Sequence, residues 1–402
     1  MNIVMISSTF PYPPSRSGTE VRTFNFLKYL NERHSVTLAT QRSPGVSDND
    51  IEALRNVVPN MVIFPMRKGI FPKTGMRDLW GKGLRLLESA IQGKPPNVIH
   101  AYSPELQGWL DDQVRQGKCD AITCEHSINA VYIRPEFPVK TLVNVHSSVY
   151  WGTVNALKMG ASENPKRDRF YLPILYRYEK NYCQQIDQIV VTTPVDEEQL
   201  RRLNPKAKIA VIPNGVDLEL FPYRSHDPGG QDLVFCGAMD FSHNIDSARF
   251  FAETVFPAIQ ERYPKATFTI VGNRPVPEIV ALGDRPGITV TGRVPSVAAC
   301  LHLATVCVVP LRTGFGIKNK TLEAMAAGIP VVGSDRGLEG LAVENPLRAL
   351  RANTVEEYVT TISRLFEDAS LRAELSQNAR SLIETEFTWE EAGHRYEELL
   401  IH

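Results

Sequence analysis

Short runs of β-branched and other apolar residues alternate with longer stretches of helical spacing along nearly the whole chain. "NIVMIS" (2–7) reads as a buried strand, followed by a loop rich in Pro, Gly and Ser (8–20). "VRTFNFLKYLNERH" (21–34) then repeats apolar residues at Phe24, Leu27 and Leu30, the spacing of one helix face, and "SVTLAT" (35–40) returns to a strand. A β-loop-α-β unit of this kind builds parallel sheets. Further strands are predicted at 61–66, 121–126, 141–147 and 188–193. The stretch 204–231, with its prolines, glycines and turn residues, reads as a connector. Beyond it the alternation resumes, with strands at 232–237, 266–272, 287–292, 305–311 and 330–334 and a helix near 245–262. The pattern predicts an α/β protein of two doubly wound, Rossmann-like domains, 1–203 and 231–387, joined by a linker over 204–230. The closing amphipathic stretch, 388–402, is a candidate to pack back on the first domain.

Composition narrows the class. A chain of 402 residues suits two cores rather than one. A net charge of −1 gives no global attraction for nucleic acid, so any basic surface is local. The six cysteines include no C-x-x-C pair and sit mostly among apolar residues, which points to buried thiols rather than disulfides or zinc. The opening "MNIVMISSTFPYPP" lacks the basic start and long apolar run of a signal peptide. No stretch approaches the roughly 18 apolar residues of a spanning helix. A cytoplasmic protein is expected.

Candidate chemistry concentrates in "GFGIKNKTLEAMAAGIPVVGS" (314–334). Gly314, Lys320 and Thr321 fall one residue short of a P-loop, because Asn319 stands where the glycine before the lysine belongs. The stretch also follows a late strand of its domain, whereas a P-loop normally follows the first. What remains is a glycine-bearing loop with Lys318 and Lys320, running into a helix whose N-terminal N–H groups and dipole favour an anion. Glu323 lies about one turn in, where a carboxylate can accept hydrogen bonds from the vicinal hydroxyls of a ribose. A glutamate that only complements the helix dipole, beside solvated lysines, is the competing reading.

These residues, together with "AVIPNGVDLELF" (210–221), "ITVTGRVPSVAAC" (288–300) and "FTWEEAGHRY" (387–396), resemble the GT-B glycosyltransferases, and among them the retaining family 4. The resemblance runs through nearly the whole chain and is stronger in its second half. It implies two Rossmann-like domains facing each other across a cleft, a nucleoside diphosphate sugar as donor substrate, and no metal or other cofactor. Glu323 matches the second glutamate of the family's E-x7-E motif, the one that holds the ribose; the first is replaced by Phe315. The family's Arg/Lys pair is also missing, with Ala238 and His243 or Asn244 at the corresponding places. Lys318, assisted by Asn319 or Lys320, is therefore the expected cation for the diphosphate. Backbone at Gly316 and Ile317 is expected to line the sugar and diphosphate, that at Val294 to meet the base, and Gly237 and Gly272 to let the chain approach the nucleotide.

In the first half, the resemblance sets Gly18, in the first βα loop, near the donor phosphates, with Arg22 one turn further on. His126 and His146 end strands, where α/β proteins bind substrates. His146 matches a family histidine close to the reacting sugar, which makes it, with Lys318, a candidate for the catalytic centre. Arg22, Glu125 and His126 are candidates for the acceptor side. Separately, 67–89 interleaves Arg67, Lys68, Lys73, Arg77, Lys82 and Arg85 with Ile70, Phe71, Leu79, Trp80 and Leu84. Such a mixture suits an anionic membrane surface or a helix docked on its own domain.

The expected activity is transfer of a sugar from a nucleoside diphosphate sugar to a glycan, lipid-linked or small-molecule acceptor, with retention. A nucleotide-sugar epimerase or hydrolase, and a non-catalytic sugar-nucleotide sensor, stay open. An NAD-linked oxidoreductase is disfavoured, since no G-x-G-x-x-G follows the first strand.

Overall fold

The computed structural model describes residues 1–14, 18–43, 45–66, 88–158, 162, 164–314 and 316–401. Two compact units emerge, Met1–Pro213 with Gly393–His402, and Asn214–Ala392.

The first unit is built on a seven-stranded parallel sheet. Its strands are β1 (Asn2–Ser7), β2 (Ser35–Arg42), β3 (Met61–Pro65), β4 (Ala121–Glu125), β5 (Lys140–His146), β6 (Gln188–Val191) and β7 (Ile209–Val211), in the order 3-2-1-4-5-6-7. Residues of β1, β4 and β5 are buried almost throughout, as expected for central strands covered by helices on both faces. The order reverses between β1 and β4, and the carboxyl ends there are where such sheets bind ligands. The connector expected over 204–230 contributes β7: Ile209 and Val211 align with Ile189 and Val191 of β6, so the apolar pattern Ile-Ala-Val overrides the surrounding turn residues.

The last helix, Trp389–Ile401, carries the chain back to this unit. Tyr396 stacks on Phe26 of the helix Gly18–Asn31, with ring centroids 4.3 Å apart, and Glu397 meets His34 Nε2 at 2.7 Å. Gly393 permits the close approach, since a Cβ there would stand 2.3 Å from the Tyr29 ring.

The second unit repeats the plan with six parallel strands: β8 (Asp232–Cys236), β9 (Thr267–Val271), β10 (Ile288–Gly292), β11 (Val306–Val309), β12 (Val331–Gly333) and β13 (Leu350–Arg351), ordered 10-9-8-11-12-13. The helix expected near 245–262 begins earlier, at Ser242, and passes through a π turn at Phe251–Val255. The two-residue β13 is too short to show in the apolar pattern. No helix among the described residues is long and apolar enough to cross a membrane. The basic segment singled out over 67–89 lies, for 67–87, outside the described residues, as does Phe315.

Candidate active site

In the second unit the candidate residues converge at the carboxyl ends of β8, β9 and β11. Gly237 follows β8 and Gly272 follows β9, and their backbones all but touch: a Cβ on Gly272 would lie 1.7 Å from the Gly237 carbonyl oxygen. A Cβ on Gly237 would lie 2.8 Å from Asn244 Nδ2 and 2.9 Å from Lys320 Nζ. Gly272 has no room for a side chain and one on Gly237 would displace Asn244 and Lys320, so the result is a floor of bare backbone with an ammonium beside it.

Lys320 reaches that floor from the first turn of the helix Asn319–Ala326. Its Nζ donates to Asn244 Oδ1 and sits 4.6 Å from the centroid of the Phe235 ring, while Asn244 Nδ2 donates to the Ala238 carbonyl at 2.8 Å. Burial brings the ammonium down to about 8, against the attraction of Cys236 and Glu323. Burial likewise pushes the Glu323 carboxyl up to about 7, opposed by Lys320. His243, at the start of the helix Ser242–Phe250, is brought down to about 4 by burial and by the charges of Lys320 and Lys318. The imidazole is therefore neutral at pH 7.

Lys318 stands at the N-cap position of the same helix, where its carbonyl accepts from Thr321 N. Its Nζ donates to the Gly316 carbonyl at 2.6 Å and lies 3.7 Å from Glu339 Oε2. Glu339 also pairs with Arg336 at 3.0 Å. Gly314 and Gly316, at φ 97° and 77°, hold a loop conformation that side chains rarely adopt. Asn319 Oδ1 accepts from Asn214 Nδ2 at 2.9 Å, which directs it toward the start of the unit. Ile317 and Val294 pack against the apolar cluster behind the cradle. The arrangement offers a cation, bare backbone and a helix N-terminus to a diphosphate, and a carboxylate to a diol.

In the first unit His126 directly follows β4 and His146 ends β5, both in left-handed backbone, at φ 79° and 63°. This conformation is uncommon outside glycine and gathers at functional sites. Their rings are 5.7 Å apart. His126 Nδ1 accepts from Ile128 N at 3.4 Å, whereas His146 Nε2 is buried without a hydrogen-bond partner among the described residues. Burial, then Arg22 and His126, hold the His146 imidazolium well below its ordinary range, and burial lowers that of His126.

Arg22 and Glu125, expected on the acceptor side, are 0% and 1% exposed. Arg22 Nε donates to Asn144 Oδ1 at 3.0 Å and its Nη2 to the Ile212 carbonyl at 2.8 Å. Asn144 Nδ2 donates to Glu125 Oε2 at 2.8 Å, and Tyr396 Oη to Glu125 Oε1 at 2.6 Å. Both charges are thus engaged with protein groups beneath the strand ends, and burial brings the Arg22 guanidinium down to about 10. Gly18 begins its helix, and a Cβ there would meet nothing within 4 Å.

Sequence reasoning missed Glu339 and Phe235. The first arrives from a later loop and the second from under the lysine, so neither is marked by local spacing. Asn144 and Tyr396 were likewise not singled out, being 252 positions apart in the chain (396 − 144).

Comparison with known proteins follows the same division. The family model described as Glycosyltransferase Family 4 matches residues 16–220, and that described as Glycosyl transferases group 1 matches residues 230–368. No curated protein sequence matches the chain. Among solved structures, sucrose-phosphate synthase from Thermosynechococcus elongatus is 20% identical with a TM-score of 0.69, over 99% of this chain and 98% of that one. Anabaena HepE, solved in complex with UDP, is 12% identical with a TM-score of 0.68 over 100% of both chains. S. aureus TarM, solved with Fondaparinux, alpha-GlcNAc-glycerol and UDP, is 14% identical with a TM-score of 0.68, again over 100% of both chains. These likenesses are of fold: two Rossmann-like domains of the GT-B class.

Proposed function

The chain belongs to glycosyltransferase family 4 and is a glycosyltransferase, and we propose that it takes its sugar from a nucleoside diphosphate sugar, transferring it with retention and without a required metal. The observation that carries this reading is the cradle at Gly237 and Gly272, with Lys320 on one side and Glu323 one turn along the same helix. Its features match the parts of such a donor. Glu323 accepts hydrogen bonds from the ribose hydroxyls. Lys320, Lys318 and the helix start take the diphosphate, and Gly316, Ile317 and Asn319 shape the loop beside it. Val294 offers its backbone to the base. HepE and TarM were solved with UDP, which makes uridine the first base to test.

Transfer needs the departing diphosphate to be stabilised as its bond to the sugar breaks. A cation in a desolvated site does this better than one in water, and Lys320 is brought down to about 8 by burial in the cradle. An arriving diphosphate raises its proton affinity again, so the lysine is charged when charge develops on the leaving group. The buried Nε2 of His146 is a hydrogen-bonding group with no protein partner among the described residues, suited to a sugar hydroxyl. Arg22 and Glu125 act as positioning residues through Asn144, which precedes His146 on β5 by two positions. Gly18 remains a proposed backbone contact to the donor.

The test is turnover of a panel of UDP-, GDP- and ADP-sugars, with and without acceptor glycans. A transferase hydrolyses its matching donor slowly and Glu323→Ala or Lys318→Ala suppresses that activity. Unimpaired turnover in both variants would remove the site assignment, and rapid acceptor-independent turnover would favour a hydrolase or epimerase.

A further inference from the structure

The helix Pro165–Gln185 has 21 residues, about 32 Å at 1.5 Å per residue. It is fastened to the carboxyl edge of the first sheet near its middle. Tyr178 Oη donates to the Ser127 carbonyl, just past β4, at 2.8 Å. Glu179 caps the helix Val149–Lys158, accepting from Val149 N at 2.7 Å, from Tyr150 N at 3.0 Å and from Ser148 Oγ. The turns before Tyr178 therefore extend past that edge, packed beside the helix Val149–Lys158.

Between these two helices runs an open groove of about 490 Å³, lined by Tyr150, Leu172, Pro173, Tyr176, Arg177 and Lys180. The last five recur at helical spacing and make one face. Tyr150 and Tyr176 meet edge to face, centroids 5.4 Å apart, and leave Tyr176 38% exposed. Lys180 Nζ lies 5.7 Å from the Tyr176 ring. Glu179, between the two cations in sequence, is turned inward to its capping role. Asp168, further back, is held by Arg167 and Ser162. Neither Arg177 nor Lys180 forms an ion pair with a carboxylate among the described residues. Among the described residues, exposed Arg177 and half-buried Lys180 thus flank an aromatic corner without a carboxylate partner.

We propose that this groove binds a hexose bearing a phosphate, as part of the acceptor. The inference rests on the glycosyl-transfer reading for its biological sense, but not for its chemistry. The tyrosine corner offers apolar surface to the C–H face of a sugar ring, and Arg177 with Lys180 offers charge-assisted hydrogen bonds to a phosphate. A concave groove of this size suits one or two rings, whereas a membrane contact would call for a convex amphipathic face.

Isothermal calorimetry on the full chain tests it, with glucose 1-phosphate, glucose 6-phosphate, glucose and inorganic phosphate as probes. At least one hexose phosphate should bind about tenfold or more tighter than glucose or phosphate alone. Arg177→Glu with Lys180→Glu should weaken it at least tenfold, and Arg177→Lys with Lys180→Arg should stay within about threefold of the native protein. Affinity unchanged by the charge reversal overturns the proposal. So does failure of both hexose phosphates to bind, and with it co-sedimentation on phosphatidylglycerol vesicles would assign the surface to a membrane. UDP affinity, measured on the same proteins, should not move; it reports on the donor cradle alone, so the two readings fail separately.

Discussion

Lys320 and Glu323 leave one helix three positions apart, and burial drives their ionisations toward each other, the ammonium down to about 8 and the carboxyl up to about 7. Donor binding needs the lysine protonated and the glutamate ionised. On the proposed donor reading the pair should give a bell-shaped affinity for UDP, highest between about pH 7 and 8 and falling by up to about tenfold per unit outside that window. Glu323→Gln should flatten the acid limb and Lys320→Met the alkaline limb, which calorimetry across pH 5.5 to 9.5 would follow, at roughly half-unit steps.

The Gly237–Gly272 contact predicts a sharp contrast between glycines. Gly272→Ala forces a Cβ to within 1.7 Å of a carbonyl oxygen, so it should cost about 1–3 kcal/mol or more and abolish nucleotide binding. Gly18→Ala meets open space and should change stability by less than about 0.5 kcal/mol. Urea denaturation of both variants makes the comparison.

Tyr396→Phe removes a donor from the buried Glu125 carboxylate, leaving an acceptor short of a partner. A loss of about 1–3 kcal/mol is expected. Burial holds the Glu125 carboxyl above its ordinary range, while Tyr396 and Asn144 pull it back. Without the tyrosine it rises further, so the destabilisation should be smaller in acid, where the carboxyl is protonated, than near neutrality. Urea titrations at several pH values would read both effects.

His146→Asn keeps a side chain that tolerates left-handed backbone while removing the imidazole. Transfer should fall about two- to tenfold, the worth of a hydrogen bond to a sugar hydroxyl, with UDP affinity unchanged. Single-turnover rates beside calorimetry would separate the two.

The alternation of strand and helix was legible because central parallel strands are apolar throughout, as at Ile3 to Ile6 and Val306 to Val309. The short strands β7 and β13 were not, since three and two residues carry too little pattern among prolines and turns. At the site, Glu323, Lys318 and the paired glycines could be read from local spacing and family resemblance. Lys320 could be read only as an assistant to Lys318, because its seat over Phe235 and against Asn244 comes from tertiary packing. Arg22 and Glu125 read as candidates for the acceptor side; the return of Tyr396 from the far end of the chain is what completes their burial.

The central claim is that the glycine-floored cradle holds a nucleoside diphosphate through Lys320. Calorimetry of UDP against the native protein and Lys320→Met at about pH 7.5 tests it most directly. Binding to the native protein and at least a tenfold weaker affinity in the variant are expected, with the melting temperature of the apo protein preserved. Equal affinity in the two proteins would contradict it.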